Sequence, residues 1–295
     1  MKTVKKVIIL VLIVIVFSTI IAIVKTSNKK AIINNDIKIH YMDVGQGDSE
    51  LIECGNEVML IDTGTNESES ALIGYLKSQK LKKINYLVLT HPHEDHIGGA
   101  AEVIENFDIG EIIMNKKSTN TKTYRAMING IRQKKLKVKM PHLGDSFKLG
   151  GANCIVYGPV NPISDDLNTY SIVLKVTYGE NKFLFTGDAQ SSNENGMISN
   201  GYDLSADVLK VGHHGSRTST SDEFLQAVNP KYAVISSGKG NDYGHPHEET
   251  MEKLKAKHIN VYRTDENGTI ICEGDGKSIK FNCSTGDYKS GENID

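Results

Sequence analysis

Short apolar runs, separated by polar and glycine-rich turns, recur between residues 37 and 282. Such a run, bounded by turn signals, reads as a strand. On that pattern residues 37–42, 49–53, 58–61 and 86–89 are strands of the first half, with a turn at Gly45-Gln46-Gly47. Residues 171–177, 182–185, 208–211 and 232–236 are strands of the second half, and 270–273 and 278–282 form a last hairpin turning at Asp275-Gly276. Helical spacing occupies 71–79, 123–135, 222–228 and 248–257. Tyr124, Met127, Ile128 and Ile131 share one face of the second of these helices. Asp222 sits at the start of the third, where an acidic side chain suits the helix dipole. Gly98-Gly99-Ala100-Ala101 opens one more helical pattern. Periodicity alone implies a mixed α and β domain.

The N-terminus follows another pattern. Residues 7–24 carry no charge, and only Ser18 and Thr19 are polar. As a helix this run spans roughly 27 Å, close to the hydrocarbon thickness of a bilayer. Lys2, Lys5 and Lys6 precede it; Lys25, Lys29 and Lys30 follow. With the amino terminus added, the balance favours the N-terminus inside and the domain outside. No A-x-A site and no lipid-accepting Cys follow the run, which favours an uncleaved signal anchor over 1–24; the rival is a cleaved signal peptide and a secreted protein. Residues 25–36 read as a linker, 37–284 as the folded domain and 285–295 as a loose polar tail.

Composition adds bounds. The chain has 295 residues, a net charge of -2 and 39% hydrophobic content, enough for one large domain or two small ones. With no Trp and 6% aromatics, a sugar-stacking surface is not expected. Cys54, Cys154, Cys272 and Cys283 lack C-x-x-C spacing. The hairpin register places Cys272 opposite Ile279, so no disulfide is implied and the four read as small buried side chains.

Chemistry concentrates in Thr90-His91-Pro92-His93-Glu94-Asp95-His96, directly after the strand at 86–89. His and Asp are ligands for borderline metals such as Zn2+. Alternate residues His91 and His93 point to one side of an extended backbone and can bind one ion. Asp95 and His96, beyond the turn, can reach a second. A strand end holds such ligands while leaving an open side for substrate.

This cluster resembles the HxHxDH signature of the metallo-β-lactamase superfamily. Three more segments resemble its motifs: Ile61-Asp62-Thr63-Gly64, Phe185-Thr186-Gly187-Asp188 and Val211-Gly212-His213-His214-Gly215-Ser216. The resemblance implies a four-layer αββα sandwich, here preceded by one N-terminal hydrophobic helix. It implies two divalent ions, Zn2+ first and Mn2+ as the alternative. Their ligands would be His91, His93, Asp95, His96, a bridging Asp188 and His213, with Asp62 behind them orienting a ligand His. His214 would face substrate or stand behind the ligands.

One usual ligand His is missing. His142 is the only candidate by position and reads as a surface residue; Asn168-Thr169-Tyr170-Ser171 occupies the expected place. That step, the opening Met42-Asp43-Val44-Gly45-Gln46-Gly47-Asp48, the His-His-Gly-Ser motif and Tyr243-Gly244-His245-Pro246-His247 resemble one branch, the ComEC-type DNA-uptake proteins and their soluble relatives. Asp43 is then expected to join Asp62 behind the ligands. Full ComEC-type proteins carry this module beside a multi-span channel; one candidate span does not make a channel.

Two ions sharing a carboxylate suit attack on phosphorus as well as on a carbonyl. The loop Ser216-Arg217-Thr218-Ser219-Thr220-Ser221 offers a guanidinium and hydroxyls, which favours phosphate; the bland alternative is a solvated Ser/Thr loop. His245 and His247 are candidates to protonate a leaving oxygen or to hold phosphate, against the alternative of exposed imidazoles around a helix-starting Pro246. Asp95 is the further catalytic candidate. The basic run at 132–139 is either a DNA track or a solvated face.

The expectation is a metal-dependent phosphodiesterase or nuclease acting on DNA outside the cell. Its implied partners are DNA or another phosphodiester polymer, the membrane through the N-terminal helix, and the competence machinery. The alternatives are a hydrolase of phosphorylated envelope polymers such as teichoic acid, and a catalytically silent binding module.

Overall fold

The computed structural model describes residues 36–291. The apolar run at 7–24 and residues 25–35 of the linker lie outside the described residues. Among the described residues no helix is long and apolar enough to cross a membrane.

The described strands form two sheets. The first takes β1 (Ile37–Tyr41), β2 (Glu50–Cys54), β3 (Glu57–Ile61), β4 (Lys83–Leu89), β5 (Asp108–Met114) and β6 (Val138–Lys139). The second takes β7 (Ser146–Leu149), β8 (Ala152–Val156), β9 (Leu174–Tyr178), β10 (Asn181–Phe185), β11 (Val208–Lys210), β12 (Tyr232–Ile235) and β13 (Asn260–Arg263). β14 (Ile270–Gly274) and β15 (Ile279–Phe281) then return to the first sheet, giving the order β15-β14-β1-β2-β3-β4-β5-β6 beside β13-β12-β11-β10-β9-β8-β7.

Alternation along the strands explains the layering. In β3, Met59 and Ile61 point into a core shared by both sheets, whereas Leu60 points outward. In β10, Phe183 and Phe185 face inward and Leu184 outward. Each sheet is therefore apolar on both faces and requires cover on each side. The first is covered by α1 (Glu69–Ser78), α3 (Ala100–Asn106) and α4 (Lys122–Gln133), which bury Leu72, Leu76, Val103, Ile104, Met127 and Ile131; the four-residue turn Glu94–Ile97 is α2. The second is covered by α5 (Ser191–Ser199), α6 (Asp222–Val228) and α7 (Glu248–Ala256), which bury Met197, Phe224, Leu225, Met251 and Leu254; Thr264–Asn267 is a short α8. The result is the four-layer αββα sandwich.

Direction places the site. β3, β4 and β5 run parallel, as do β10, β11, β12 and β13. Crossovers between parallel strands leave loops at the carboxyl ends, where ligands bind in open α/β sheets. The segments after Ile61, Leu89, Phe185, Lys210 and Ile235 all emerge there.

Three details differ from the sequence reading. Cys272 pairs with Phe281, not Ile279, because the hairpin turns one residue later, at Gly276-Lys277, with Asp275 N–H donating to Ser278 O. All four thiols are free, and Cys283 is only partly buried. The stretch 286–291 is docked rather than loose: Gly286 N–H donates to Val261 O and Gly291 N–H to Pro246 O, both at 2.8 Å, and the Tyr288 hydroxyl donates to Ile259 O at 2.8 Å. β5, β7, β8, β13 and α5 escaped the pattern. α5 is polar in sequence because its buried Asn193 and Glu194 serve loops. The Asn193 amide donates to Val160 O and Thr169 O, and the Glu194 carboxylate accepts from Thr220 N and Ser221 N.

Candidate metal centre

The loop after β4 carries His91, His93, Asp95 and His96 to the carboxyl end of the first sheet. Those after β10 and β11 bring Asp188, His213 and His214 from the second. Asp188, 2% exposed, lies at the meeting point. Its two oxygens face different partners. Oδ1 stands 3.3 Å from His96 Nε2 and 3.6 Å from His214 Nε2. Oδ2 stands 3.8 Å from His91 Nε2 and 3.7 Å from His213 Nε2. Asp95 Oδ2 completes the first set, 3.2 Å from His214 Nε2 and 3.8 Å from His96 Nε2. His93 Nδ1 completes the second, 2.9 Å from His91 Nε2.

These sets fit metal ions. Atoms bound to one tetrahedral Zn2+ at about 2.0–2.2 Å stand roughly 3.3–3.6 Å from one another, and the separations bracket that value. Asp188 Oδ1, His96 Nε2 and His214 Nε2 are buried and make no hydrogen bond. Buried polar atoms without partners carry a desolvation cost that a shared cation removes. Asp95, His96, Asp188 and His214 form one group able to hold a divalent ion; His91, His93 and Asp188 form another.

The far nitrogens of His96, His214 and His213 are tied down. Asp62, fully buried, accepts His96 Nδ1–H at 2.7 Å through Oδ2, together with the Thr90 hydroxyl at 2.6 Å; its Oδ1 accepts Thr90 N–H at 2.8 Å. Ser236 O accepts from His214 Nδ1 at 3.0 Å. A carbonyl can only accept, so Nδ1 carries a proton and Nε2 is the nitrogen turned toward Asp188 and Asp95. His213 Nδ1 meets Thr218 Oγ1 at 2.9 Å, and its Nε2 takes the Asn168 amide at 3.2 Å.

With protein groups alone the cluster is strongly polarised. Burial opposes charge on Asp188, but the imidazoles of His96, His214 and His91 outweigh it and hold the carboxyl well below its ordinary range. Burial likewise opposes a proton on His214, yet Asp188 and Asp48 lift its pKa to about 10. His96 is lifted well above normal by Asp188, Asp95 and Asp62 against the same burial. His91 is pushed well below normal by burial and by His96. Burial lifts the Asp62 pKa too; three donors aimed at its oxygens nevertheless leave no room for a proton there, and we read it as ionised.

Beneath His214 lies a buried ion pair. Lys210 Nζ contacts both Asp48 oxygens at 2.8 Å, each side chain being 1% exposed, and Asp48 Oδ1 lies 3.4 Å from His214 Nδ1. Glu50 is buried beside them, and burial and then Asp48 raise its pKa well above normal. Gly47 permits this geometry, since a Cβ there would collide with Asp95 O.

A profile described as the metallo-beta-lactamase superfamily matches residues 42–239. The chain belongs to that superfamily. It is similar to the ComE operon protein 3 of Bacillus subtilis, with 31% identity over 81% of this chain and 33% of that protein. The competence protein ComA of Neisseria gonorrhoeae is 32% identical over 82% of this chain and 33% of that one. The recombination protein 2 of Haemophilus influenzae is 31% identical over 79% and 28%. The chain thus spans about a third of the length of these curated relatives. Among solved structures, the metallo-beta-lactamase fold protein YhfI of Bacillus subtilis superposes with a TM-score of 0.56 at 13% identity, over 81% of this chain and 100% of that one. A diiron beta-hydroxylase of Streptomyces venezuelae, CmlA, superposes with a TM-score of 0.53 at 14% identity, over 78% and 52%. These structures share the fold.

Within this superfamily fold, several residues stand where the sequence did not place them. His214, not His213, joins Asp95 and His96. Both residues adopt left-handed conformations (φ 51° and 54°), and this coil points the second imidazole inward, where an extended strand end would have presented the first. His213 instead lies on the side of His91. Asp43 is exposed and accepts Gly45 N–H in its turn; the buried acid of that motif is Asp48. Ser216 is buried, with its hydroxyl joined to Thr218. The Arg217 guanidinium pairs with Glu249 at 3.3 Å, and Arg217 does not line the cleft. His247 has both nitrogens engaged, Nδ1 accepting Arg217 N–H at 3.0 Å and Nε2 donating to Tyr243 O at 3.1 Å, so it clamps two loops. His142 is exposed, as expected. In the basic run, Lys134 donates to Ile104 O and Glu105 O, Lys139 pairs with Asp145, and none of the run lines the cleft.

His245 does line the cleft, a cavity of about 690 Å³ bounded also by Gln46, Asn168 and Tyr243. Gln46 Oε1 accepts Gly238 N–H at 3.0 Å, which fixes the amide and aims its NH2 at His245 Nδ1, 3.1 Å away. Burial and then the charge of His214 push the His245 pKa down to about 3. The ring is a neutral donor through Nε2–H rather than a source of protons. Sequence reasoning missed Lys210, although a lone Lys inside Val208-Leu209-Lys210-Val211 signals a buried carboxylate partner.

Proposed function

We propose that this chain is a metal-dependent phosphodiesterase, most directly a nuclease acting on DNA. The observation that carries the reading is Asp188, whose two oxygens are divided between two His/Asp sets at the floor of an open cleft. Asp95, His96, His214 and Asp188 would hold one divalent ion, and His91, His93 and Asp188 the other, with His213 beside it. Zn2+ suits the donors, and Mn2+ is the second choice. When bound, such a pair activates water and polarises a phosphoryl oxygen. Asp62 and Ser236 O hold His96 and His214 in the tautomer that presents Nε2. His245 donates a hydrogen bond toward oxygens of a bound phosphodiester and cannot protonate a leaving group near neutral pH. Similarity to proteins named for competence supports DNA as the substrate. Residues 7–24 would tether the domain outside the membrane, where DNA or another phosphodiester polymer is met and the competence machinery would be its neighbour.

The test is an assay of the full-length chain on single- and double-stranded DNA with Zn2+ or Mn2+, with bis(p-nitrophenyl) phosphate in parallel. Turnover that needs the metal and disappears in Asp188→Ala is expected. No turnover of any phosphodiester by metal-loaded protein overturns the reading. Protease shaving of intact cells checks location: a domain protected until lysis would put it inside.

A further inference from the structure

Tyr243 is 67% exposed, at the mouth of the cleft. A single exposed aromatic is ordinary on a protein surface; this one is distinguished by its place at the cleft and by the hydrogen bonds that fix its backbone. Asn241 Oδ1 accepts Tyr243 N–H at 3.1 Å and His245 N–H at 3.0 Å, its NH2 donates to Gly238 O and His245 O, and His247 holds Tyr243 O. The ring lies over His245 at 5.6 Å between centroids and 20° between planes. His245 in turn lies over His214 at 6.1 Å and 27°. Near-parallel rings therefore lead from the candidate ions to solvent, and the outermost is a tyrosine. Glu67 and Glu94, from loops of the first sheet, also line the cleft and disfavour a polyanion beside them.

We propose that Tyr243 is a stacking platform for the nucleobase next to the phosphodiester held at the centre. The site then takes nucleotide strands with an unpaired base at that position, since a base inside a duplex has no free face to offer. This rests on the phosphodiesterase reading and adds the base to it.

The probe is a single strand carrying 2-aminopurine, whose emission falls on stacking, and the same strand with an abasic residue there. Full-length protein loaded with Zn2+ binds each strand, made with phosphorothioate linkages that resist cleavage, and a terminal dye reports affinity. Wild type should quench the 2-aminopurine and prefer the base-bearing strand about tenfold, within the range of one base–aromatic stack. Tyr243→Phe should keep both effects, and Tyr243→Ala should lose both. Equal affinity for the two strands, unchanged emission at saturation, absence of binding, or a Tyr243→Ala protein like wild type overturns the proposal. Cleavage of bis(p-nitrophenyl) phosphate, measured separately with metal, reports whether the phosphodiesterase reading stands when the stacking does not.

Discussion

Replacing Lys210 with Met removes the one ammonium group that compensates Asp48. The structure sets the magnitude. Lys210 Nζ lies 2.8 Å from both carboxylate oxygens and 3.1 Å from Val211 O, and each side chain is 1% exposed, so water cannot replace it. Both partners' pKa values move the way a pair requires: against burial, Lys210 is raised by Asp48 and Asp48 is lowered by Lys210. Breaking such a pair from one side costs about 3–5 kcal/mol; protonated His214, 3.4 Å from Asp48 Oδ1, remains as a partial partner, so the loss does not exceed that range. At roughly 2–4 °C per kcal/mol for a domain of this size, Lys210→Met should lower the Tm by about 6–20 °C. Thermal unfolding of metal-stripped protein, followed by far-UV circular dichroism, measures it. The sign with pH follows from Asp48: its depressed pKa contributes stability above its unfolded value near 3.9, lost as pH falls. In the variant the carboxyl takes up a proton at higher pH, so its Tm deficit should shrink on acidification. Lys210→Met/Asp48→Asn removes the orphaned charge and should recover most of the loss. A single variant that melts with wild type, or a double variant no more stable than the single, would refute the account.

Asp62→Asn should weaken metal binding about 10–100-fold, because an amide has one accepting oxygen for the three donors that the two Asp62 oxygens satisfy; titration with Zn2+ and metal analysis check it, and unchanged affinity would sever Asp62 from the centre. Binding of the ions should release protons near pH 7, since His214 and His96 hold theirs to high pH in the protein alone; calorimetry in buffers of different ionisation enthalpy reads the number, and zero release would contradict the ligand assignment. Arg217→Ala should change kcat/KM on phosphodiesters by less than about threefold, as expected for an exposed pair with Glu249; a tenfold loss would return the guanidinium to the substrate.

Much of this protein is readable along the chain. Alternation in Val58-Met59-Leu60-Ile61 and the run before Thr90 mark strands that must be covered on both faces, and the order of four short motifs indicates which loops share a site. Asp62 and Asp188 were legible because each follows a strand end, where backbone direction is settled locally. What the chain could not disclose depends on the three-dimensional path. Whether His213 or His214 turns inward is decided by two consecutive left-handed residues, a conformation held by the packing of Gly215 against Pro246 and Ile235 and by the hydrogen bond of His214 to Ser236 on the next strand. Asp48 and Lys210 are 162 positions apart and meet because β1–β3 and β10–β12 belong to facing sheets. Arg217 and Ser216 have the right chemistry for phosphate but face Glu249 and Thr218, since the loop spends its donors on its own closure. Local sequence determines which residues are polar, buried or turn-forming; the docking of one sheet on the other determines which of them point at one another.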